Sequence, residues 1–181
     1  DTVRRLGLEE STYIFFTSDH GTNFGDNAEG IIGKPAGYLY PGTMHVPLIM
    51  RKPGGADGGS RNESLSYNTV DIPATIAARI GETTDAPDFP LDGLDLCDGA
   101  PQPRGYLTSR YGNSVFYVSD EYYYFAGVDF SSPRLFDLRS DPDCSTNIAD
   151  TDDKAVRSAL KTIEERITVD AGGPMTAYVR D

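Results

Sequence analysis

Long hydrophobic runs are missing from this chain. Its longest uncharged apolar run, Tyr13 to Thr17, is far shorter than the roughly 20 residues with which a helix crosses a bilayer, so no membrane-spanning helix is expected. With 19 glycines and 12 prolines in 181 residues, the composition also argues against collagen and against extensive disorder. A chain of this length can bury a hydrophobic core, and the sequence predicts a globular protein.

Basic residues are scarce. Sixteen lysines and arginines stand against 28 aspartates and glutamates, which gives a net charge of −12. This charge repels nucleic acid phosphates and anionic lipid headgroups, so neither is an expected general partner. Aspartate outnumbers glutamate 20 to 8, and only four of the basic residues are lysines. Short, strongly hydrated acids with few lysines suit concentrated salt and indicate a halophilic source; an acidic mesophilic protein is the alternative.

Cysteine is rare as well. Cys97 and Cys144 share no C-x-x-C or Cys/His spacing, so the sequence indicates neither a zinc site nor a redox pair. Two alternatives stay open for these residues, a single disulfide or two free, partly buried thiols.

The first part of the chain has the pattern of an α/β core. Residues 11–17 and 44–51 are apolar, β-branched runs that predict strands buried on both faces, as in a parallel sheet covered by helices. Residues 68–81 predict a helix with Pro73 in its first turn. Two strands are too few for such a sheet, so we expect neighbouring strands upstream of Asp1 or from another chain.

The second part of the chain has a different pattern. Beyond an irregular, Asp/Pro/Gly-rich linker over 82–104, residues 154–169 predict an amphipathic helix capped from Asp150–Asp153. Between linker and helix, four short Tyr/Phe/Val-rich runs predict an antiparallel meander: residues 105–109, 114–119, 121–126 and 134–138. The predicted domains are therefore residues 1–95, part of an α/β core, and residues 104–181, a small α+β subdomain.

Candidate site residues follow the first predicted strand. Asp19 and His20 are competent ligands for a divalent cation, and in open α/β sheets ligands bind at the carboxyl ends of strands. The alternative is an aspartate that caps the next loop beside a hydrogen-bonded histidine. Lys34 lies between two glycine-containing turns, where it either presents its ammonium to an anionic substrate or is a solvated surface lysine.

A series of short motifs runs along nearly the whole chain. In chain order the motifs are Thr17–Gly21, Gly25-Asp26, Gly33-Lys34, His45–Gly54, Val70–Thr75, Asp92-Gly93, Leu135–Pro142 and Asn147–Ala149. In this order they resemble the sulfatases of the alkaline phosphatase superfamily. The resemblance implies the carboxyl-terminal part of an alkaline-phosphatase-like α/β sheet core, followed by a small α+β subdomain with a meander and a terminal helix. It also implies a missing amino-terminal part with the other strands.

The resemblance also implies roles for individual residues. Asp19 and His20 match the family's second pair of metal ligands, with calcium as the usual cation and the first pair upstream of Asp1. Lys34 matches a lysine that contacts the sulfate and so stands as both a substrate-binding and a catalytic residue. His45, where the family often has arginine, is expected to be either a structural residue or a substrate-binding residue at the rim of the site, rather than a catalyst. Asn27 lies where relatives frequently have histidine.

The family's nucleophile is a formylglycine made from the Cys or Ser of a C/S-x-P-x-R motif. Neither cysteine fits, because Cys97 is followed by Asp98-Gly99 and Cys144 by Ser145-Thr146, and no serine fits either. Formylglycine is therefore expected in the missing amino-terminal part, and this segment alone should have no turnover.

Taken with the resemblance, the residues predict the carboxyl-terminal portion of a sulfatase that hydrolyses a sulfate ester with the help of a divalent cation. Two alternatives stay open: a phosphate or phosphonate ester hydrolase of the same superfamily, and a non-catalytic interaction module. Export, as in many relatives, and a salt-rich cytoplasm are both compatible with the sequence.

Overall fold

The computed structural model describes residues 2–62, 64–82, 93–98, 107–109 and 113–174, the three residues 107–109 by their backbone only. Its helices are α1 (Thr2–Arg5), α2 (Pro41–Met44), α3 (Asn68–Ile80) and α4 (Lys154–Asp170), with a 3-10 turn over Pro53–Gly55. Its strands are β1 (Ile14–Thr17), β2 (Asn23–Phe24), β3 (Ile32–Gly33), β4 (Leu48–Arg51), β5 (Leu107–Ser109), β6 (Ser114–Val118), β7 (Tyr122–Gly127) and β8 (Arg134–Asp137). Among the described residues, no helix combines the length and apolar character of a membrane span.

The chain divides into two compact units. One comprises Asp1–Ser18 with Pro47–Pro103, and the other comprises Asp19–Val46 with Arg104–Asp181. Asp19–Val46 thus shares a compact unit with the carboxyl-terminal residues, whereas the sequence groups it with residues 1–95. The division into domains at 95 and 104 stays a prediction, and the predicted linker over 82–104 lies largely outside the described residues.

In the first unit, the two predicted strands pair with each other as β1 and β4. The sequence predicts two strands of a parallel sheet, each buried on both faces; in the structure the two strands are antiparallel, and Phe16 lies opposite Ile49 in the register. The prediction of burial was also wrong here, since these two residues are 62% and 61% exposed. Two strands alone cannot cover each other's faces, which is why these apolar residues face solvent.

Helix α3 of the first unit forms where the sequence predicts it. Gly81 ends the helix in the left-handed conformation with φ 82°, a region that suits glycine. The buried carboxylate of Asp71 accepts hydrogen bonds from the backbone N–H groups of Tyr67, at 2.7 Å, and Leu94, at 2.9 Å. Pro73 is the sixth residue of the helix, which begins at Asn68, so it lies inside the helix and not in the first turn as predicted.

The second unit is built on the predicted meander. Strands β5, β6, β7 and β8 pair in chain order, each antiparallel to the next, which confirms the meander. Helix α4 covers one face of this sheet, where Ile163 and Ile167 pack with Tyr124 and Leu135 in a buried cluster. Asp153 caps the helix by accepting hydrogen bonds from the N–H groups of Ala155 and Val156, as the sequence predicts.

The other face of the meander packs against Tyr40, which is fully buried. The Tyr40 ring lies 5.0 Å from the ring centre of Phe125 and 5.7 Å from that of Phe136. The hydroxyl of Tyr123 donates a hydrogen bond to the carbonyl oxygen of Leu39 at 2.6 Å. These contacts fix the end of the stretch 19–40, which carries three of the four predicted site residues, on a rigid sheet.

Both cysteines are free thiols, which decides between the two alternatives left open by the sequence. Cys144 is buried, and this burial raises the pKa of its thiol to about 12. Cys97 is partly buried, and desolvation raises its pKa as well. Neither environment is that of a nucleophile, since a reactive cysteine has a lowered pKa.

Candidate functional site

The site begins directly after strand β1, at Asp19 and His20. The next residue, Gly21, donates its N–H to the carbonyl oxygen of Thr43 at 2.8 Å. A Cβ atom at position 21 would lie 2.1 Å from the carbonyl oxygen of Gly42, so only glycine allows the two segments to approach this closely. This contact sets the direction in which the chain leaves His20.

His20 is held by two contacts of its ring. Nδ1 lies 2.9 Å from the carbonyl oxygen of Gly21, and Nε2 lies 2.5 Å from Nζ of Lys34. A neutral ring that donates from Nδ1 to the carbonyl has its lone pair at Nε2, where it accepts a hydrogen bond from the Lys34 ammonium. Three of the predicted site residues therefore lie together, since Asp19 is the neighbour of His20.

Asp19 is the most accessible of these residues, with 84% of its side chain exposed. Its Oδ1 accepts a hydrogen bond from the His20 backbone N–H at 3.0 Å, and its Oδ2 lies 3.5 Å from His20 Nε2. Electrostatic attraction by His20 in its protonated form, followed by this hydrogen bond, lowers the pKa of Asp19. The carboxylate is thus kept ionised, as a ligand for a hard cation must be.

The described residues do not by themselves make up a metal site. Among them, no group of three or more histidine, cysteine, aspartate or glutamate side chains could hold a metal ion. Asp19 fits a divalent cation by its charge and its exposure. His20 fits only if Lys34 leaves Nε2, because a ring nitrogen that accepts a hydrogen bond has no lone pair for a metal. The pair therefore supplies at most two ligands, and a complete cation site needs more.

His45 borders a cavity of about 190 Å³. Asp19, His20 and Lys34 do not line the cavity, so His45 is not brought to them there. The cavity is bounded largely by polar side chains and by prolines: Asn23, Asp26, Asn27, Tyr40, Pro41, Gly42, His45, Pro142 and Asp143.

Asn23 is a residue of this cavity that sequence reasoning missed. It is 1% exposed, and neither atom of its side-chain amide has a hydrogen-bond partner among the described residues. An asparagine in a glycine-rich loop gives no signal of such burial. The neighbouring candidate, Asn27, closes its own turn by exchanging two hydrogen bonds with the backbone of Ile31, at 2.9 and 3.0 Å.

Comparison with known proteins relates the chain to one enzyme family. The family model described as Sulfatase matches residues 1–82. Arylsulfatase K from Gallus gallus is 30% identical over 172 residues, an alignment that covers 86% of this chain and 31% of that protein. This chain thus spans less than a third of the length of that relative.

Solved structures show a likeness of the fold. The phosphonate monoester hydrolase of Agrobacterium radiobacter superposes with a TM-score of 0.72 at 26% identity, covering 94% of this chain and 37% of that one. The phosphonate monoester hydrolase of Silicibacter pomeroyi has a TM-score of 0.70 at 20% identity, covering 93% and 36% of the two chains. The sulfatase match over β1, β4 and α3 and the arylsulfatase relative place the chain in the sulfatase family of the alkaline phosphatase superfamily, and the structural likenesses show an alkaline-phosphatase-like fold.

Proposed function

We propose that this chain is the carboxyl-terminal part of a sulfatase that hydrolyses a sulfate ester with the help of a divalent cation. One observation carries the proposal: Nζ of Lys34 lies 2.5 Å from Nε2 of His20, the neighbour of Asp19, although the two residues are 14 positions apart in the sequence. An exposed carboxylate, an imidazole and an ammonium at one place are the groups that bind a cation and a tetrahedral anion. Family membership and the arylsulfatase relative support the choice of sulfate esters.

Asp19 and His20 are the proposed cation ligands, and calcium is the proposed cation. A cation held there would neutralise sulfate oxygens and would stabilise the charge that builds up during S–O cleavage. Lys34 donates hydrogen bonds to the same oxygens. When its ammonium turns from His20 Nε2 to the sulfate, the ring nitrogen regains its lone pair and is free to act as a ligand. His45 is proposed as a residue at the substrate rim, where its exposed side chain borders the cavity.

The rest of the active site is proposed to lie in an amino-terminal part of the same protein. That part would supply the formylglycine nucleophile and the remaining cation ligands, since the 181 residues contain no C/S-x-P-x-R motif. Exposure of the Phe16 and Ile49 side chains supports this proposal, because apolar strand faces of a sheet core are normally covered.

A specific observation favours a second candidate, a phosphonate or phosphate monoester hydrolase. Two solved relatives with TM-scores of 0.72 and 0.70 are phosphonate monoester hydrolases, one of them at 26% identity. A carboxylate, an imidazole and a lysine would serve either kind of tetrahedral anion. The residues of the site therefore do not by themselves separate the two substrates.

Hydrolysis of matched aryl esters by the full-length protein tests the proposal. We expect the aryl sulfate to be the better substrate by kcat/KM, with activity that is lost on chelation and restored by calcium. Lys34→Met should reduce that value about a hundredfold, since one donor to a developing oxyanion contributes roughly this factor. Lys52→Met is the matched control, because Lys52 pairs with Asp57 at 2.6 Å instead. Preference for the phosphonate would favour the second candidate, and turnover of neither ester would favour an interaction module.

A further inference from the structure

One arginine of the meander contacts the chain on both sides of Lys34. Arg134 of strand β8 binds Glu29 through two nitrogens, with Nη2 3.0 Å from Oε1 and Nε 3.3 Å from Oε2. Its guanidinium also lies 5.2 Å from the ring centre of Tyr38. Glu29 precedes Lys34 by five residues and Tyr38 follows it by four, so both arms of the loop over 29–40 are held by the same side chain.

Tyr40 completes the contact from the far end of this loop. Its hydroxyl donates a hydrogen bond to Glu29 Oε2 at 2.6 Å, which ties the carboxylate to a second residue beyond Lys34. Hydrogen bonds from Arg134 and Tyr40 lower the pKa of Glu29 against the opposing effect of burial. The carboxylate is therefore ionised at neutral pH, and its bonds to the guanidinium are charge-assisted.

The arginine itself is fixed in place. Its Nη1 donates to the carbonyl oxygen of Ser132 at 2.8 Å, and its guanidinium lies 5.6 Å from the ring centre of Phe125. Its side chain is only 17% exposed, so solvent screens the ion pair less than it screens a surface pair. Leu135 and Phe136, the next residues of β8, are fully buried. Arg134 is thus a rigid point on the sheet, with a planar fork that lysine cannot reproduce.

Lys34 has much weaker restraints of its own. It follows β3, which has two residues and a single partner strand, β2. Gly33 and Gly37, on either side of it, both have φ 81°, and the side chain of Lys34 reaches His20 from an exposed position. A long side chain on a loop of this kind is placed only as well as the two ends of the loop are placed.

We propose that Arg134 is a positioning residue for Lys34. Through Glu29 and Tyr38 it fixes the loop over 29–40 so that the Lys34 ammonium stands at His20 and meets the sulfate oxygens there. This inference rests on the proposed function of Lys34, and it adds a residue 100 positions further along the chain that acts through its contact with Glu29.

The first test is hydrogen exchange in the full-length protein. Arg134→Lys keeps the charge but removes the two-pronged contact, so we expect amides of residues 29–40 to exchange roughly tenfold faster, while those of β6 and β7 do not change. Arg139→Lys is the matched control, since Arg139 pairs with Glu121 at 3.1 Å on an exposed surface. Glu29→Gln removes the charge of the other partner in this ion pair and should raise the exchange rate of the same amides. Unchanged loop exchange in both variants would overturn the proposal.

The second test separates positioning of Lys34 from a general structural role. Arg134→Lys should reduce kcat/KM for a sulfate ester about tenfold, because a small misplacement of a binding group has effects of this size. In a protein that already carries Lys34→Met, Arg134→Lys should reduce kcat/KM almost no further. An equal loss in both backgrounds would show that Arg134 acts without Lys34 and would overturn the proposal. If Lys34→Met alone has no effect, the proposed role of Lys34 fails and the positioning role with it, even though the exchange result still shows a held loop.

Discussion

Nζ of Lys34 lies 2.5 Å from Nε2 of His20, so one proposed substrate-binding group occupies the lone pair that a proposed metal ligand would use. The contact between Lys34 and His20 and the ligation of a metal by His20 Nε2 therefore exclude each other. In the free protein the imidazole holds the ammonium, and with an anion present the ammonium has a stronger partner. Binding of the anion and ligation by His20 should consequently favour each other.

Asp19→Asn tests the cation site directly. The substitution removes the charge and retains one oxygen, and we expect calcium affinity of the full-length protein in a titration to fall at least about tenfold, because hard cations depend on ligand charge. Asp120→Asn is the control, since Asp120 lies in the exposed turn between β6 and β7. Indistinguishable calcium affinities for Asp19→Asn and the wild type would remove Asp19 from the site.

We expect the contribution of Glu164 to the stability of the second unit to be less favourable at neutral pH than at acid pH. Burial raises the pKa of Glu164, whose Oε1 accepts a hydrogen bond from the buried Tyr124 hydroxyl at 3.1 Å. The native state then holds a proton that the unfolded state has released, so stability is highest below the unfolded pKa and declines as pH rises through the folded one.

Glu164→Gln tests this dependence, because it keeps an acceptor for Tyr124 and removes the charge. We expect urea unfolding to show a gain of a few tenths of a kcal/mol at pH 7, allowing for solvent screening of a partly exposed group, and almost none at pH 4. Glu165→Gln, on an exposed position of α4, is the comparison variant. A loss of stability at pH 7 would contradict the prediction.

The cap of helix α4 should have a measurable effect on stability. Asp153 Oδ1 accepts hydrogen bonds from the N–H groups of Ala155, at 2.6 Å, and Val156, at 3.4 Å. Asp153→Ala should therefore lower the free energy of unfolding by about 1 kcal/mol in denaturant titrations. Asp152→Ala is a matched control one residue away. The Asp152 carboxylate is 96% exposed, so its ion pair with Arg157 contributes little to stability. Equal losses from the two substitutions would argue against a capping role.

The acidic composition leads to a prediction about salt. At a net charge of −12, with few lysines, repulsion between surface carboxylates should be relieved as KCl is raised to molar concentration, and the thermal midpoint should increase over that range. A midpoint that stays level or falls would leave the halophilic hypothesis without support and would favour an ordinary acidic protein.

Helices and strands are predicted most accurately where the pattern that defines them lies within a few neighbouring residues. The meander runs and α4 lie close to their predicted bounds, because turn residues, alternating apolar residues and a capping aspartate act within a few positions. Helix α3 lies where predicted, although Pro73 falls inside it. The pairing of β1 with β4 could not be read in this way, since an apolar run predicts burial but carries no information about the direction or number of its neighbours.

The candidate site shows the same limit of local patterns. Their place after a strand makes Asp19 and His20 candidate ligands, and its place between glycines makes Lys34 a candidate anion-binding residue. Their proximity to one another depends on the fold over 14 residues, and the Arg134–Glu29 pair depends on contacts across 105 residues. The local sequence around Glu29 or Arg134 does not identify its ion-pair partner, because the chain contains many other acidic residues and arginines that could pair with either.

The uncovered ribbon of β1 and β4 has a practical consequence for anyone who expresses these 181 residues by themselves. Phe16 and Ile49 stand side by side on a short antiparallel pair with open edges. Such a surface invites strand addition between copies and capture by chaperones. We expect this polypeptide to self-associate at micromolar concentration, and replacing both side chains with threonine should keep it monodisperse.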